Sequence, residues 1–204
     1  MTPILTATVG TNADLFPSAL ALYSKPGDRI LDMTWGLGVF WRNVQQADYD
    51  LVRNDIDPGR GDMHHDFRKT PFGEEFDAVV FDPPYASRST NKNGAIGGRY
   101  NNSEHGLATV KDMLDFYSAG VCEAQRILKP AGILYLKCMD EVASGKQERN
   151  HIAIWKSALG AGFTDEDLFV LVQNGTPTMR HPYQIHARKN NSFLWVFRRS
   201  YATV

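Results

Sequence analysis

The sequence predicts a single α/β domain, residues 1–204, in which helices cover both faces of a largely parallel sheet. Short apolar runs rich in β-branched residues alternate with longer segments of helical period, as in βαβ units. Several of these runs end in glycine-rich or acidic turns, where open α/β sheets carry their sites. A chain of 204 residues has room for one large core.

Each predicted element follows from its own pattern. Helical periodicity indicates a helix start at 39–46 and helices at about 107–128 and 148–159. Strand composition is found in six segments: 29–33, 49–54, 76–81, 133–138, 168–172 and 193–197. Two polar stretches, 86–105 and 173–191, show neither helical nor strand periodicity. Long irregular segments in compact domains are usually functional, so both are candidate substrate-recognition elements.

Several classes of protein are disfavoured by the composition. No run of 18 apolar residues suggests a membrane span, and the first 15 residues lack the pattern of a secretory signal. Cys122 and Cys138 are too few for a disulfide framework or a zinc site, so we expect reduced thiols in a cytoplasmic protein. His64 and His65 lie beside two aspartates, but no further ligand has a recognisable spacing, so no metal is expected.

The charge of the chain is unevenly distributed although its net value is only -1. Residues 168–204 contain no Asp or Glu and carry five cations: Arg180, Arg188, Lys189, Arg198 and Arg199. A segment of one sign suits contact with phosphates. A solvated basic edge without a partner fits the same charges, so this pattern alone leaves both readings open.

A cofactor site is predicted where the first strand ends. Asp32 and Thr34 precede a turn containing Gly36 and Gly38, and Asp55 ends the second strand. Glycines allow close approach of backbone to a ligand, and an acid at the second strand binds ribose hydroxyls of an adenosine-bearing cofactor. A carboxylate such as Asp32 would repel a pyrophosphate and suits a cationic ligand, which favours S-adenosylmethionine over NAD or ATP.

A further carboxylate, Asp66, falls where a third strand should end. It could accept a hydrogen bond from the adenine amine of such a cofactor. Asp62 is a neighbouring alternative, and a solvated loop carboxylate is a third reading.

The most informative feature is Asp82-Pro83-Pro84-Tyr85 at the end of a strongly apolar strand. Adjacent prolines remove two amide donors and leave carbonyl acceptors beside a carboxylate. Such a turn suits a ligand that only donates hydrogen bonds, as an exocyclic amine does. Acceptors on the amine hydrogens draw the nitrogen lone pair out of the ring and stabilise the positive charge that develops during methyl transfer. Tyr85 could stack on a base turned out of its duplex.

These motifs, in this order, resemble the DNA amino-methyltransferases that act on adenine N6 or cytosine N4, in their small bacterial or phage form. The resemblance implies a class I methyltransferase: a Rossmann-like, seven-stranded, mostly parallel sheet whose last strand is antiparallel. It also implies that the residues around the glycine turn bind S-adenosylmethionine and that 82–85 bind the target amine. The segment containing Phe16 resembles the part that covers the methionine end of the cofactor.

The chain departs from the family in having no separate region for target recognition. The two polar stretches would have to recognise the nucleic acid, and we expect it to contact their basic and aromatic groups: Arg88, Lys92, Arg99, Tyr100, Arg180, Arg188 and Lys189.

DNA is thus the expected partner and adenine N6 the favoured target. An Asp-first tetrapeptide favours adenine, since Ser is commoner first in cytosine enzymes of the family. Alternatives are an RNA base-amine methyltransferase, a non-catalytic subunit that binds nucleic acid, and a protein-glutamine methyltransferase. Oligomeric state is left open by the sequence.

Overall fold

The computed structural model describes residues 3–84, 109–174, 183, 185–187 and 189–201. The recognition stretch predicted at 86–105 lies outside these residues, as does most of the one at 173–191. None of the helices in the described part of the chain has the length and apolar content needed to cross a membrane.

A seven-stranded sheet organises the described residues. Its strands are β1 (Ala7–Gly10), β2 (Arg29–Asp32), β3 (Asp50–Arg53), β4 (Phe76–Phe81), β5 (Leu128–Cys138), β8 (Phe163–Gln173) and β9 (Asn191–Arg199), in the spatial order β1-β8-β9-β5-β4-β2-β3. Only β9 runs antiparallel to its neighbours, β5 and β8. A small hairpin, β6 (Glu141–Ala143) and β7 (Lys146–Glu148), follows β5. The predicted parallel sheet with an antiparallel last strand is confirmed.

Within the described residues, three α-helices cover the two faces of this sheet: α1 (Asn12–Tyr23), α2 (Val110–Ile127) and α3 (Asn150–Gly160). Side chains alternate between faces along each strand. Leu134 and Leu136 pack with α2 and α3, whereas Ile133 and Tyr135 pack with α1. Each face therefore has its own apolar core layer.

The helix predicted at 39–46 is much shorter than expected. Only two short 3-10 turns form there, Val39–Trp41 and Gln46–Asp48. The Trp41 carbonyl accepts hydrogen bonds from the Val44 amide, at 3.2 Å, and from the Gln46 side chain, at 3.1 Å. These bonds hold tight turns in place of an α-helical continuation.

The seven-stranded sheet was predicted, but the place of the seventh strand in the chain was not. β1 pairs with β8 at one edge of the sheet. At the other edge, the strand expected before Asp66 is reduced to one bridge between Asn54 and Met63. The sheet thus has seven strands, but one of them comes from the N-terminal segment.

A close contact between α2 and β4 supports the strand that leads to Asp82. A methyl group built on Gly120 would lie 2.2 Å from the ring of Phe81 and 3.0 Å from that of Phe67. Phe81 is fully buried and directly precedes Asp82. Only a glycine at this position lets α2 approach the strand so closely.

Gly120→Ala is expected to destabilise the protein by about 1–2 kcal/mol. Overpacking costs about 1–3 kcal/mol, which exceeds the roughly 1 kcal/mol that alanine gains over glycine in a helix. Urea unfolding measures the difference. Gly160→Ala is the matched control, because Gly160 also lies in a helix and has open space around its Cα. Equal stability of the two variants would show that the contact has no energetic weight.

Candidate active site

The candidate site lies where parallel strands end. Because β2, β3, β4 and β5 are parallel, their carboxyl ends meet at one edge of the sheet. An acid stands at or after the end of each of them: Asp32, Asp55, Asp82 and Asp140. This is the edge at which open α/β folds bind ligands.

The glycine turn is anchored to both neighbouring strands. The Met33 amide donates to the Val80 carbonyl, and the Trp35 amide donates to that of Asn54, both at 2.9 Å. Gly38 has a φ of +61°, and a methyl group on it would lie 2.6 Å from the Trp35 ring. The turn therefore requires glycine at this position on grounds of both conformation and space.

Asp32 supports this turn from within. Its carboxylate accepts hydrogen bonds from the Thr34 amide, at 3.0 Å, and from the Trp41 indole, at 2.8 Å. Only 3% of Asp32 is exposed, and burial raises the pKa of its carboxyl to about 7. The predicted contact with the cationic end of a cofactor stays a prediction. What the geometry adds is that both carboxylate oxygens already bind protein groups.

Asp55 joins the same turn from the next strand. It is half-buried, and it accepts hydrogen bonds from the Gly36 amide, at 2.7 Å, and from the Asp57 amide, at 2.9 Å. The carboxylate predicted to bind ribose is thus held beside the glycine that was predicted to approach the ligand.

Two other predicted cofactor contacts have different surroundings. Asp66 forms an ion pair with Arg68 at 2.5 Å, so a contact with an adenine amine would compete with this guanidinium. Phe16 has no exposed surface and packs edge-to-face against Phe40, Trp41 and Tyr135. Phe16 therefore belongs to the core beneath the site, and the direct contact predicted for it has no surface on which to form.

The turn that begins at Asp82, predicted to be catalytic, is bonded directly to the glycine turn. The Asp82 amide donates to the Thr34 hydroxyl at 2.8 Å. Pro83 is buried and Pro84 half-buried, whereas Tyr85 lies outside the described residues. Although Asp82 as a residue is half-buried, its Oδ1 is inaccessible to solvent and has no hydrogen-bond partner within the described parts of the chain.

Burial dominates the electrostatics of Asp82. It raises the pKa of the carboxyl to about 7, and the positive charge of Lys137 opposes that shift. A buried acceptor without a partner is costly and is uncommon in folded proteins. At this turn it is available to a hydrogen-bond donor supplied by a ligand.

Three further buried polar groups were not predicted as site residues. Asn12 Oδ1, Lys137 Nζ and Ser192 Oγ are each inaccessible and lack a hydrogen-bond partner among the described residues. Asn12 begins α1, Lys137 lies near the carboxyl end of β5, and Ser192 lies at the start of the antiparallel β9. All three are therefore at the site edge of the sheet. For these three residues, only one indication was present in the sequence: a lysine, Lys137, lies inside the apolar run 133–138.

No metal site is formed by the described residues: they contain no group of three or more His, Cys, Asp or Glu side chains suited to an ion. The His65 amide donates to Asn54 and its ring lies edge-on against Phe72. The exposed His64 and Asp62 lie in the same connection. Both Cys122 and Cys138 are free thiols.

Most of the predicted nucleic-acid contacts lie outside the described residues: Arg88, Lys92, Arg99, Tyr100, Arg180 and Arg188. Lys189 is described and half-buried, just before β9. His186 hydrogen-bonds to the Gly145 carbonyl at 2.7 Å, which links the end of the second polar stretch to the β6–β7 hairpin. This hairpin follows β5 at the site edge.

Comparison with known proteins identifies the fold. No protein-family model matches the sequence, and no curated protein matches it significantly. TrmN from Thermus thermophilus superimposes with a TM-score of 0.57 at 18% identity, over 91% of this chain and 48% of TrmN. The chain thus spans about half the length of TrmN.

Two further solved structures cover most of their own length. An S-adenosylmethionine-dependent methyltransferase from Methanosarcina mazei gives a TM-score of 0.56 at 14% identity, over 89% of this chain and 97% of that protein. The [4+2]-cyclase SpnF gives 0.56 at 15% identity, over 92% and 82%. The fold is that of the class I S-adenosylmethionine-dependent methyltransferases. Since a cyclase shares it, the reaction must be argued from the site.

Proposed function

We propose that this protein transfers a methyl group from S-adenosylmethionine to an exocyclic base amine in DNA, with adenine N6 as the favoured target. The observation that carries the proposal is the unpartnered, buried Oδ1 of Asp82 in a turn bonded directly to the glycine turn through Thr34. That arrangement holds an acceptor for an amine hydrogen next to the place where the methyl donor would bind.

The residues at the glycine turn fit S-adenosylmethionine. Asp55 offers a carboxylate to ribose hydroxyls, and Gly36 and Gly38 leave room for the ligand. The unpartnered Asn12 Oδ1 at the start of α1 suits a donor such as the amino group of the methionine part. When bound, the cofactor supplies a methyl group on a sulfonium, which becomes a neutral thioether as the nitrogen–carbon bond forms.

Asp82 would act on the amine itself. An aromatic amine is a poor nucleophile because its lone pair is delocalised into the ring. A hydrogen bond from the amine to Asp82, with a second to the Pro83 carbonyl, favours the geometry in which the lone pair points toward the methyl donor. The nitrogen must release one proton after transfer, and a carboxyl whose pKa is about 7 can accept it and pass it to solvent.

DNA is proposed over RNA because of the motif order, and the Asp-first turn favours adenine over cytosine. RNA is the second candidate, since small RNA enzymes carry similar tetrapeptides and also lack a recognition domain. A catalytically inactive subunit would have no need for an unpartnered acid at the turn. A protein-glutamine substrate is disfavoured because such enzymes usually begin the tetrapeptide with Asn.

Transfer of labelled methyl from S-adenosylmethionine to DNA and RNA in parallel, followed by nucleoside analysis, tests the proposal. The expected product is N6-methyladenine in DNA. Methyl transfer to RNA alone would support the proposed chemistry but show that DNA is not the substrate. No transfer to either substrate, by protein that binds the cofactor, would overturn the proposed activity.

The second polar stretch provides a prediction on binding. Replacing Arg180, Arg188 and Lys189 by alanine is expected to weaken DNA binding and to flatten its dependence on salt. Each lost phosphate contact lowers the slope of log K against log salt by about 0.9. Fluorescence anisotropy with a labelled duplex at several salt concentrations measures both effects.

The matched control for this variant removes Lys25 and Lys129. Both lie toward the opposite edge of the sheet, near the starts of β2 and β5. Their replacement by alanine should leave the slope unchanged. The same loss of slope per removed charge, for two cations in the control and three in the test variant, would show that only the overall charge matters.

A further inference from the structure

Asp82 and Lys137 lie side by side at the ends of neighbouring strands. The ladder between β4 and β5 pairs Phe81 with Leu136, so the next residue on each strand is Asp82 and Lys137. Alternation along the strands places both on the face of the sheet covered by α1, together with Val80 and Tyr135. The Lys137 residue is only 1% exposed.

These two opposite charges do not satisfy one another. Neither Asp82 Oδ1 nor Lys137 Nζ has a hydrogen-bond partner among the described residues, so no direct ion pair through Oδ1 joins them. Their charges nevertheless interact, since each changes the pKa of the other. Burying an ammonium without a partner is unfavourable, so packing alone gives no reason for a lysine here.

The other groups around the pair are accounted for. Asp32, on the next strand, already binds the Thr34 amide and the Trp41 indole. Cys138 is buried beside Lys137, and burial raises the pKa of its thiol far above the physiological range. Asp140 binds the side chain of His151 at 2.6 Å. Among the described residues, Lys137 is therefore the cation whose charge lowers the pKa of Asp82, and no other described cation has that effect.

We propose that Lys137 is a positioning residue for methyl transfer: it favours the ionised form of Asp82 without occupying the carboxylate oxygen that receives the amine. This inference rests on the proposed function. A direct ion pair would consume Oδ1, whereas a cation beyond hydrogen-bonding distance favours the charged carboxylate and leaves Oδ1 free. The same charge orients the target, because an amine hydrogen is attracted to an ionised acceptor more strongly than to a neutral acid.

The effect on pH dependence has a definite sign. Burial raises the pKa of Asp82 and Lys137 offsets part of that rise, so that the pKa with both effects is about 7. Burial lowers the pKa of Lys137 and Asp82 offsets part of that fall, so that the resulting pKa is about 8. Removing the ammonium therefore raises the pKa of Asp82 further. The ionised fraction at neutral pH falls, and the acid limb of the rate profile moves to higher pH.

Lys137→Met tests this inference through two independent measurements. The first is the Asp82 carboxyl titration, followed by 13C NMR with labelled aspartate and assigned with Asp82→Asn. We expect its pKa to rise by about one unit or more, which is a tenfold or larger loss of carboxylate below the pKa. The second is kcat/KM for methyl transfer against pH. We expect its acid limb to shift by the same amount and the rate to recover at alkaline pH.

Two variants control this experiment. Lys129→Met removes another lysine of β5, one that pairs with Asp77 at 2.8 Å near the start of the strand, and should change neither measurement. Lys137→Arg keeps the cation and should keep the acid limb near its wild-type position. If the methionine variant fails to fold, Lys137→Gln removes the same charge with a polar side chain and should shift both measurements in the same direction.

The outcomes separate this inference from the proposed function. An unchanged Asp82 titration overturns the role of Lys137, whether or not methyl transfer is observed. A shifted titration with an unshifted acid limb overturns it too, since ionisation of Asp82 would then not limit the rate. A shifted titration in a protein that methylates no nucleic acid would confirm the electrostatic coupling and overturn the proposed function.

Discussion

Asp82→Asn is expected to lower the rate of methyl transfer by at least about a hundredfold while leaving cofactor affinity nearly unchanged. Asparagine can still accept a hydrogen bond but lacks the negative charge that stabilises the developing positive charge, and loss of one preorganised electrostatic contact typically costs about 10²–10³ in rate. Asparagine keeps the shape of the side chain, and the backbone bond from residue 82 to the Thr34 hydroxyl is retained. The variant therefore removes charge without removing the link between the two turns. Single-turnover rates and calorimetric titration with S-adenosylmethionine measure the two effects.

Asp77→Asn is the matched control for that variant. Asp77 lies on the same strand, toward its start, where it accepts hydrogen bonds from the Arg29 amide, at 2.9 Å, and the Lys129 ammonium, at 2.8 Å. Its loss should cost stability and leave the rate per folded molecule unchanged. Wild-type rates for Asp82→Asn would contradict the mechanism. A rate loss shared with Asp77→Asn would point to a general disturbance of β4.

The features that sequence could predict are those in which the chemistry is local. The Asp82 turn and the Gly36–Gly38 turn each lie within a few residues that follow a strand. The parallel sheet then brings them to one edge, where Thr34 joins them by a single hydrogen bond. Their proximity could be predicted from the fold class, because carboxyl ends of parallel strands meet.

What could not be predicted depends on residues far apart in the chain. β1 is four residues long, too short for a clear alternation, and it is a strand because β8, more than 150 residues later, pairs with it. Likewise, the engagement of Asp32 with Trp41 depends on a tight turn that replaces the predicted helix. In both cases tertiary contacts override the local pattern.

Lys137 shows how a pattern can carry a signal that only the structure interprets. In the sequence it is one polar residue inside an apolar run. The same pattern is found in edge strands and at the ends of strands. In the structure its strand is central, between β4 and β9, and its side chain is buried beside Asp82. The register of β4 against β5 supplies the missing information.

Asp55→Asn is expected to weaken binding of S-adenosylmethionine by about ten- to a hundredfold. Hydrogen bonds to a charged group contribute about 1.5–3 kcal/mol, and each 1.4 kcal/mol is a factor of about ten in affinity. The carboxylate accepts from the Gly36 amide, at 2.7 Å, and from the Asp57 amide, at 2.9 Å. An asparagine side chain accepts hydrogen bonds only through its oxygen. Its NH2 group would therefore face one of the two backbone amides, and two donors would oppose each other. The charged acceptor proposed for the ribose hydroxyls is lost in the same step.

Asp57→Asn distinguishes a ligand contact from damage to the loop. Asp57 is exposed, accepts from the Gly59 amide at 2.9 Å and pairs with Arg60 at 3.2 Å, all within the loop that follows β3. If Asp55 binds the cofactor, its variant should lose affinity while Asp57→Asn keeps it, as calorimetric titration would show. Equal losses would mean that the loop conformation matters more than the contact. Full affinity in both variants would remove Asp55 from the cofactor site and place the ribose elsewhere along this edge of the sheet.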